Sequence, residues 1–200
     1  GYKFYETAAQ EGLINYDEYV QYPFGHGLSY TTFTQEIANF AENGDTISMD
    51  VLVTNTGSTA GKEVVEVYFE PPYNNGGIEK ASVNLVQFGK TQLLEAGASE
   101  TIHFDIAKEE LASYDDGIKI RDGGYILEAG DYTISLRADS HTVLDAATFT
   151  QASDIDYSSG RPSDLIPATN QFQDYSRGDF IQLSRADGFA NYDQAVYGRL

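Results

Sequence analysis

The sequence predicts an all-β fold, a sandwich of about seven short strands flanked by irregular N- and C-terminal extensions. Three observations predict it. Apolar and polar side chains alternate at Ile47, Met49, Val51 and Val53, and again at Tyr132, Ile134, Leu136 and Ala138, the period of a strand with one buried face. Turn clusters such as Asn55-Thr56-Gly57-Ser58 and Leu94-Glu95-Ala96-Gly97 punctuate these runs. The stretch between residues 31 and 150 contains no long amphipathic helix pattern, which leaves sheet packed on sheet as the architecture.

Taken in order, residues 1–21 read as the edge of another unit. Tyr2, Phe4 and Tyr5 alternate loosely, and residues 6–12 form a short helix ended by Gly12. Residues 22–33, Tyr-Pro-Phe-Gly-His-Gly-Leu-Ser-Tyr-Thr-Thr-Phe, make a bent lead-in to the β region. Pro23 fixes its own φ, and Gly25 and Gly27 admit backbone angles closed to other residues. A strand begins in residues 31–40. Residues 46–54 and 62–69 form a strand and its return, stopped by Pro71-Pro72, which cannot donate to a ladder.

Residues 73–80 form a loop with Asn74-Asn75-Gly76-Gly77 at its tip. Residues 83–94 make the next strand, and Ile102, Phe104 and Ile106 face one way along the one after it. Residues 107–114 hold a single helical turn, and 115–124 are a polar surface loop or hairpin extension. Leu127, Gly130 and Tyr132 have the spacing of the tyrosine corner of immunoglobulin-like sandwiches, so the Tyr132 hydroxyl is expected to bond backbone near Leu127. Residues 142–150 close the sandwich. On this register Thr133, Ser135 and Arg137 point away from the core. Residues 151–200 lose the alternation. They read as an extended linker lying on a neighbouring domain, anchored by Phe172, Tyr175, Phe180, Phe189, Tyr192 and Tyr197, with disorder as the alternative. Residues 1–16 and 151–200 are expected to make few contacts with the sandwich core.

Composition excludes several functions. A net charge of -19 argues against nucleic acid and anionic membrane as partners, because both require a basic face. There are no cysteines, hence neither disulfides nor thiolate metal sites, and the compartment stays open. No apolar run approaches the length of a membrane span, and no signal peptide is visible. The first residue is Gly1, so the chain reads as a piece of a longer protein or a processed one. Fifteen tyrosines suit β domains and sugar-contacting surfaces equally, so the count does not choose between them.

The run Pro23-Phe24-Gly25-His26-Gly27-Leu28-Ser29-Tyr30-Thr31-Thr32-Phe33 resembles the opening of the fibronectin type III-like domain of glycoside hydrolase family 3 enzymes, the β-glucosidases and their relatives. The similarity continues through Val53-Thr54-Asn55-Thr56-Gly57 and Gly61-Lys62-Glu63-Val64-Val65, and covers roughly residues 22–149. It implies a fibronectin type III/immunoglobulin-like β-sandwich at residues 31–150. Residues 1–30 would then be the remnant of a preceding α/β sandwich domain plus linker, and 151–200 a tail towards a neighbouring domain. It also implies a non-catalytic, structural role: bracing the α/β sandwich and (β/α)8 barrel domains of a retaining β-glycosidase. In most family members this domain comes last. The fifty residues after the final strand fit a permuted order with a domain downstream. A carbohydrate-binding module and a protein-interaction sandwich are the rival readings.

No catalytic, cofactor or metal residue is assigned. The family's nucleophile is an aspartate after Ser, at the end of an apolar barrel strand. The two Ser-Asp pairs here, Ser153-Asp154 and Ser163-Asp164, follow no such strand. His26, His103 and His141 are isolated from one another. His103 reads as a solvated surface histidine and His26 as a local hydrogen-bonding group. Asp115, Asp116 and Asp122 cluster around glycines, a set of oxygen ligands that suits calcium but lacks EF-hand spacing. Arg177-Gly178-Asp179 is an integrin-type tripeptide of the kind that arises by chance. The loop at residues 73–77 could touch sugar through Tyr73 and its asparagines, or could simply be turn chemistry.

Overall fold

The computed structural model describes residues 1–170 and 180–198. Two antiparallel sheets face each other. One has the order β1-β2-β5, from β1 (Phe33–Asn43), β2 (Thr46–Asn55) and β5 (Ser99–Ala107). The other has the order β4-β3-β8-β9, from β3 (Val64–Glu70), β4 (Asn84–Lys90), β8 (Gly130–Arg137) and β9 (Val143–Gln151). These are the seven strands that the alternation predicts.

The core sits between the sheets, where the period-two pattern puts it. Ile47, Met49, Val51 and Val53 of β2 meet Phe104 and Ile106 of β5 on one side. Val65, Val67 and Phe69 of β3, with Ile134 and Leu136 of β8, meet them from the other. In register, Ile47 lies opposite Ile106 and Met49 opposite Phe104. The sandwich is also tied at one margin. A bulge between Ile37 and Asn39 frees the Ile37 N–H, which donates to Asp145 Oδ2 of β9 at 2.8 Å.

The tyrosine corner forms as predicted. Tyr132 Oη donates to the Glu128 carbonyl at 3.1 Å, and the buried ring stacks on Phe149. Ahead of it, a single 3-10 turn (Lys108–Leu111) leads into β6 (Ser113–Asp115) and β7 (Gly124–Leu127). The polar excursion at 115–124 is the tip of that hairpin. With β10 (Ile155–Asp156) these strands make a small sheet in the order β10-β7-β6, and Tyr157 beyond it packs on the main core.

The outer face of the four-stranded sheet departs from the simple alternation. Ser135 and Arg137, placed outward by the register, do point away from the inter-sheet core, yet both are buried. The N-terminal segment covers them. It comprises α1 (Tyr2–Gln10) and α2 (Tyr16–Tyr19). The Leu85 N–H donates to Tyr2 Oη at 2.8 Å, and the Ser82 N–H to Thr7 Oγ1 at 2.9 Å. The expectation of few contacts therefore needs correcting. Residues 1–16 stay out of the inter-sheet core but form a third layer on the sheet, because the polar outer face supplies partners for their hydroxyls.

The same expectation fails for residues 151–200, of which Ile155 and Tyr157 pack on the main core. Two short helices, α3 (Ala186–Phe189) and α4 (Tyr192–Tyr197), lie against α1, where the Phe189 and Tyr192 rings pack on Phe4. Of the expected anchors, Phe189 is buried while Phe180 and Tyr197 are exposed. Phe172, Tyr175 and the Arg177-Gly178-Asp179 tripeptide lie outside the described residues. Among the described residues, no helix is long and apolar enough to cross a membrane.

Candidate functional site

The loop at residues 22–30 is held at its base and bare at its tip. The His26 N–H closes a turn on the Pro23 carbonyl at 3.1 Å, with Gly25 at φ +87. The turn requires glycine for this angle, and the position also lies close to the Glu66 carboxylate, 2.3 Å from where a Cβ would fall. The Phe24 carbonyl accepts the Ser140 N–H at 2.7 Å, and the Phe24 ring stacks on Tyr2 with centroids 4.6 Å apart. Beyond this anchor Leu28 is 95% exposed and Tyr30 99% exposed.

The chain then re-enters the sandwich through Asn55. Its Oδ1 accepts Thr31 Oγ1 at 2.8 Å, and its Nδ2 donates to the carbonyls of Thr59 and Leu94. Gly57 packs so tightly on Thr31 that a Cβ there would lie 2.2 Å from Oγ1. The Asn-Thr-Gly run is thus a clamp for the incoming loop as well as a turn. Leu28 and Ser29 share a cleft of 280 Å³ with Lys62, Glu63, Glu66 and Lys90. Burial pushes the Glu63 and Glu66 carboxyls above the ordinary range, with a hydrogen bond from Gln35 and from Tyr68, respectively, opposing the shift.

A buried polar network lies behind the loop, under α1. The Glu6 carboxylate accepts Tyr16 Oη at 2.6 Å, Ser140 Oγ at 2.7 Å and His141 Nδ1 at 2.9 Å. The His141 ring lies flush on Tyr16, centroids 3.8 Å apart. Arg137 donates to Ser135 Oγ, the Ser140 carbonyl and Glu70 Oε1 at 2.9, 2.9 and 2.5 Å. Sequence reasoning gave Glu6, Ser140 and His141 no role and placed Arg137 only on the outward side of its strand. Glu6 and His141 are 135 positions apart, and no local pattern links them.

The candidate residues that the sequence singled out are committed to local structure. Asp154 uses both oxygens: Oδ1 accepts the Ala129 N–H and Oδ2 pairs with Lys119, both at 2.7 Å. Lys119 also pairs with Glu128, which is itself paired with the buried Lys80. The Lys119 ammonium holds the Asp154 carboxyl below the usual range. Asp164 is gripped by Arg161 through Nε and NH2, which holds it low as well.

Asp115 accepts the N–H groups of Ile118, Lys119 and Ile120 at 2.8, 2.6 and 2.6 Å. Burial pushes its carboxyl up, but these bonds outweigh burial and hold it low. Its oxygens therefore serve the hairpin tip. Asp116 faces the Asn170 amide at 3.2 Å. Among the described residues, no group of three or more His, Cys, Asp or Glu side chains could hold a metal ion.

His103 stands exposed between Asp50 and Asp105, and the Asp50 hydrogen bond raises its imidazole above the ordinary value. The ring of His26 rests beside Tyr22. The 73–77 loop is tethered to the C-terminal segment while Asn74, Asn75 and Gly76 stay exposed. Asn75 Nδ2 donates to Asp187 Oδ1 at 2.7 Å, its Oδ1 accepts the Asp187 N–H, and the Arg185 guanidinium lies 4.0 Å from the centre of the Tyr73 ring.

This geometry can be set beside known proteins. Residues 63–140 match the family described as fibronectin type III-like domain. The chain is 37% identical over 147 residues to β-glucosidase A of Butyrivibrio fibrisolvens, an alignment covering 66% of this chain and 17% of the relative. The chain carries a fibronectin type III-like domain of the family 3 β-glucosidase kind. Two solved structures share the fold of this domain. One is β-glucosidase 3B of Thermotoga neapolitana in complex with glucose, with 33% identity and a TM-score of 0.66 over 78% of this chain and 20% of that one. The other is the GH3 β-glucosidase of Bifidobacterium adolescentis, with 34% identity and a TM-score of 0.63 over 75% and 20%. The chain thus spans a fifth or less of the length of these relatives, in which the domain is one part of a larger protein.

Proposed function

We propose that this chain is a non-catalytic bracing domain of a family 3 β-glycosidase and that the hydrolytic groups lie in other domains of that parent. The observation that carries the reading is the loop at 22–30. Its base is held by Ser140 and Tyr2, while Leu28 and Tyr30 stand almost fully in solvent. A rigidly presented pair of large apolar side chains is the form of a docking element. The partners on this reading are the α/β sandwich and (β/α)8 barrel of the parent. Holding their relative pose matters when an active site is assembled from more than one domain. The division into residues 1–30, 31–150 and 151–200 belongs to the same proposal, the first and last segments being strips that run onto the neighbours.

The aspartates support it from the other side. Retaining hydrolysis needs two carboxyl groups about 5–5.5 Å apart across the scissile bond, one of them a free nucleophile. Asp154 and Asp164 each have both oxygens occupied by donors of their own fold. The test is an assay of the purified chain on nitrophenyl β-glucoside beside the full parent enzyme. The chain should show no turnover. Turnover that disappears in Asp154→Asn or Asp164→Asn would overturn the reading.

A further inference from the structure

Residues 184–192 lie in a groove between α1 and the loop at residues 73–81, and the groove meets their side chains one by one. Ser184 Oγ donates to Glu79 Oε1, and the Arg185 N–H donates to Glu79 Oε2 at 3.0 Å. Arg185 is 5% exposed. Its Nε donates to Glu11 Oε1 at 2.6 Å, its NH1 donates to the Lys80 carbonyl at 3.3 Å, and its guanidinium covers the Tyr73 ring. Asn75 engages both the carboxylate and the N–H of Asp187. Phe189 is buried edge-on to Phe4, centroids 5.9 Å apart. Asn191 ties the segment to itself: Oδ1 accepts the Ser184 N–H at 3.1 Å and Nδ2 donates to the Gln182 carbonyl at 2.8 Å.

The backbone shows that docking imposes this shape. Asp187, Gly188 and Phe189 have φ of +53, +68 and +62. Left-handed backbone is costly for a residue with a Cβ, and Phe189 is a bulky one. Such a turn persists where its surroundings over-determine it. Here the contacts that do so, from Arg185, Asp187 and Phe189, are all made to the groove. The groove is also selective. A carboxylate, a carbonyl and a ring face converge on the Arg185 guanidinium. A planar fork satisfies all three at once, and the compact ammonium of a lysine does not.

We propose that this groove is a peptide-recognition site selective for Arg-Ala-Asp-Gly-Phe, and that residues 184–192 are its resident ligand. They close as a latch keyed by Arg185, which opens without unfolding the sandwich. One consequence rests on the bracing role proposed above: the closed latch fastens the strip leaving the sandwich to the strip entering it, which fixes the two relative to each other. The latch itself rests on contacts within this chain. A glycoside assay does not report on it, so either proposal can fail without the other.

The test uses the isotope-labelled 200-residue chain carrying Arg185→Ala, followed by amide chemical shifts. Residues 184–192 should leave their parent positions while β8 does not move. Adding an unlabelled peptide of residues 182–192 should then give saturable shifts at Glu11, Asn75 and Glu79, back towards the parent positions. The same peptide with lysine for its arginine should bind about tenfold more weakly or worse. The unsubstituted chain, its groove filled, should not respond to either peptide. The proposal is overturned if residues 184–192 stay in place in the variant, or if the peptide gives no saturable shift or shifts centred elsewhere. Equal binding of the lysine peptide, or of the unsubstituted chain, also overturns it. Should Arg185→Ala disturb β8, Asn75→Ala decides, since Asn75 is exposed. Hydrogen exchange should then rise at residues 187–189 with β8 unchanged, and unaltered exchange there would count against the latch.

Discussion

The two faces of β8 are built on opposite principles. Its inner face presents Tyr132, Ile134 and Leu136 to the inter-sheet core, and its outer face presents Ser135 and Arg137 to the layer under α1. Both faces are buried. The inner one is held by apolar area and packing, which are non-directional and tolerate small shifts. The outer one is held by hydrogen bonds among Arg137, Ser140, Glu6, Tyr16 and His141, each needing a partner in one place. The difference is that burial alone does not mark the core of this domain: one buried layer folds it, and the other attaches a segment to it.

The largest expected effect comes from the inner face. Leu136→Ala should destabilise the domain by about 2–5 kcal/mol, the usual cost of a core truncation, read from the urea midpoint. Glu6→Ala strikes the outer face. It leaves the Tyr16 and Ser140 hydroxyls without their acceptor and should cost about 1–3 kcal/mol. The sharper readout is amide hydrogen exchange. Exchange in α1 should accelerate while β8 stays protected, as expected of a separately attached layer. Equal acceleration in β8 would show that the two layers unfold as one, and the contrast between the faces would fall.

Tyr132→Phe probes a single polar atom on the apolar face. Loss of its bond to the Glu128 carbonyl should cost about 1 kcal/mol. An unchanged denaturation midpoint would remove the corner as a stabilising feature.

The smallest effect belongs to Asp115, which is remote from both faces of β8. Its folded carboxyl titrates below the unfolded value of about 3.9, so its contribution is present above that pH and lost as pH falls through the lower folded value. Asp115→Asn should therefore lower stability at neutral pH and flatten the acid limb of the stability curve below about pH 4. An acid limb identical to that of the parent chain would mean that the backbone bonds at the hairpin tip do not favour the charged form.

What the sequence determined by itself was the sandwich. Ile47 to Val53 and Tyr132 to Leu136 declare their inner faces because a strand repeats every two residues, and Tyr132 declares the corner because its partner, Glu128, lies four residues away. The Pro-Phe-Gly-His-Gly-Leu-Ser-Tyr run carried the family resemblance, and part of it answers a local demand: Gly25 takes φ +87 in the turn of the bent entry. Only the tertiary structure decided the rest. Ser135 and Arg137 alternate as solvent-facing residues should, and nothing near them in the chain says that α1 will cover them. Asn75 reads as turn chemistry until Asp187, 112 positions away, bonds to it. Tyrosines counted along the chain do not say which of them meet, and five from the first 22 residues come together at one cleft. Apolar periodicity is written locally because the strand repeats it; a polar partnership needs both ends, and the fold alone brings them together.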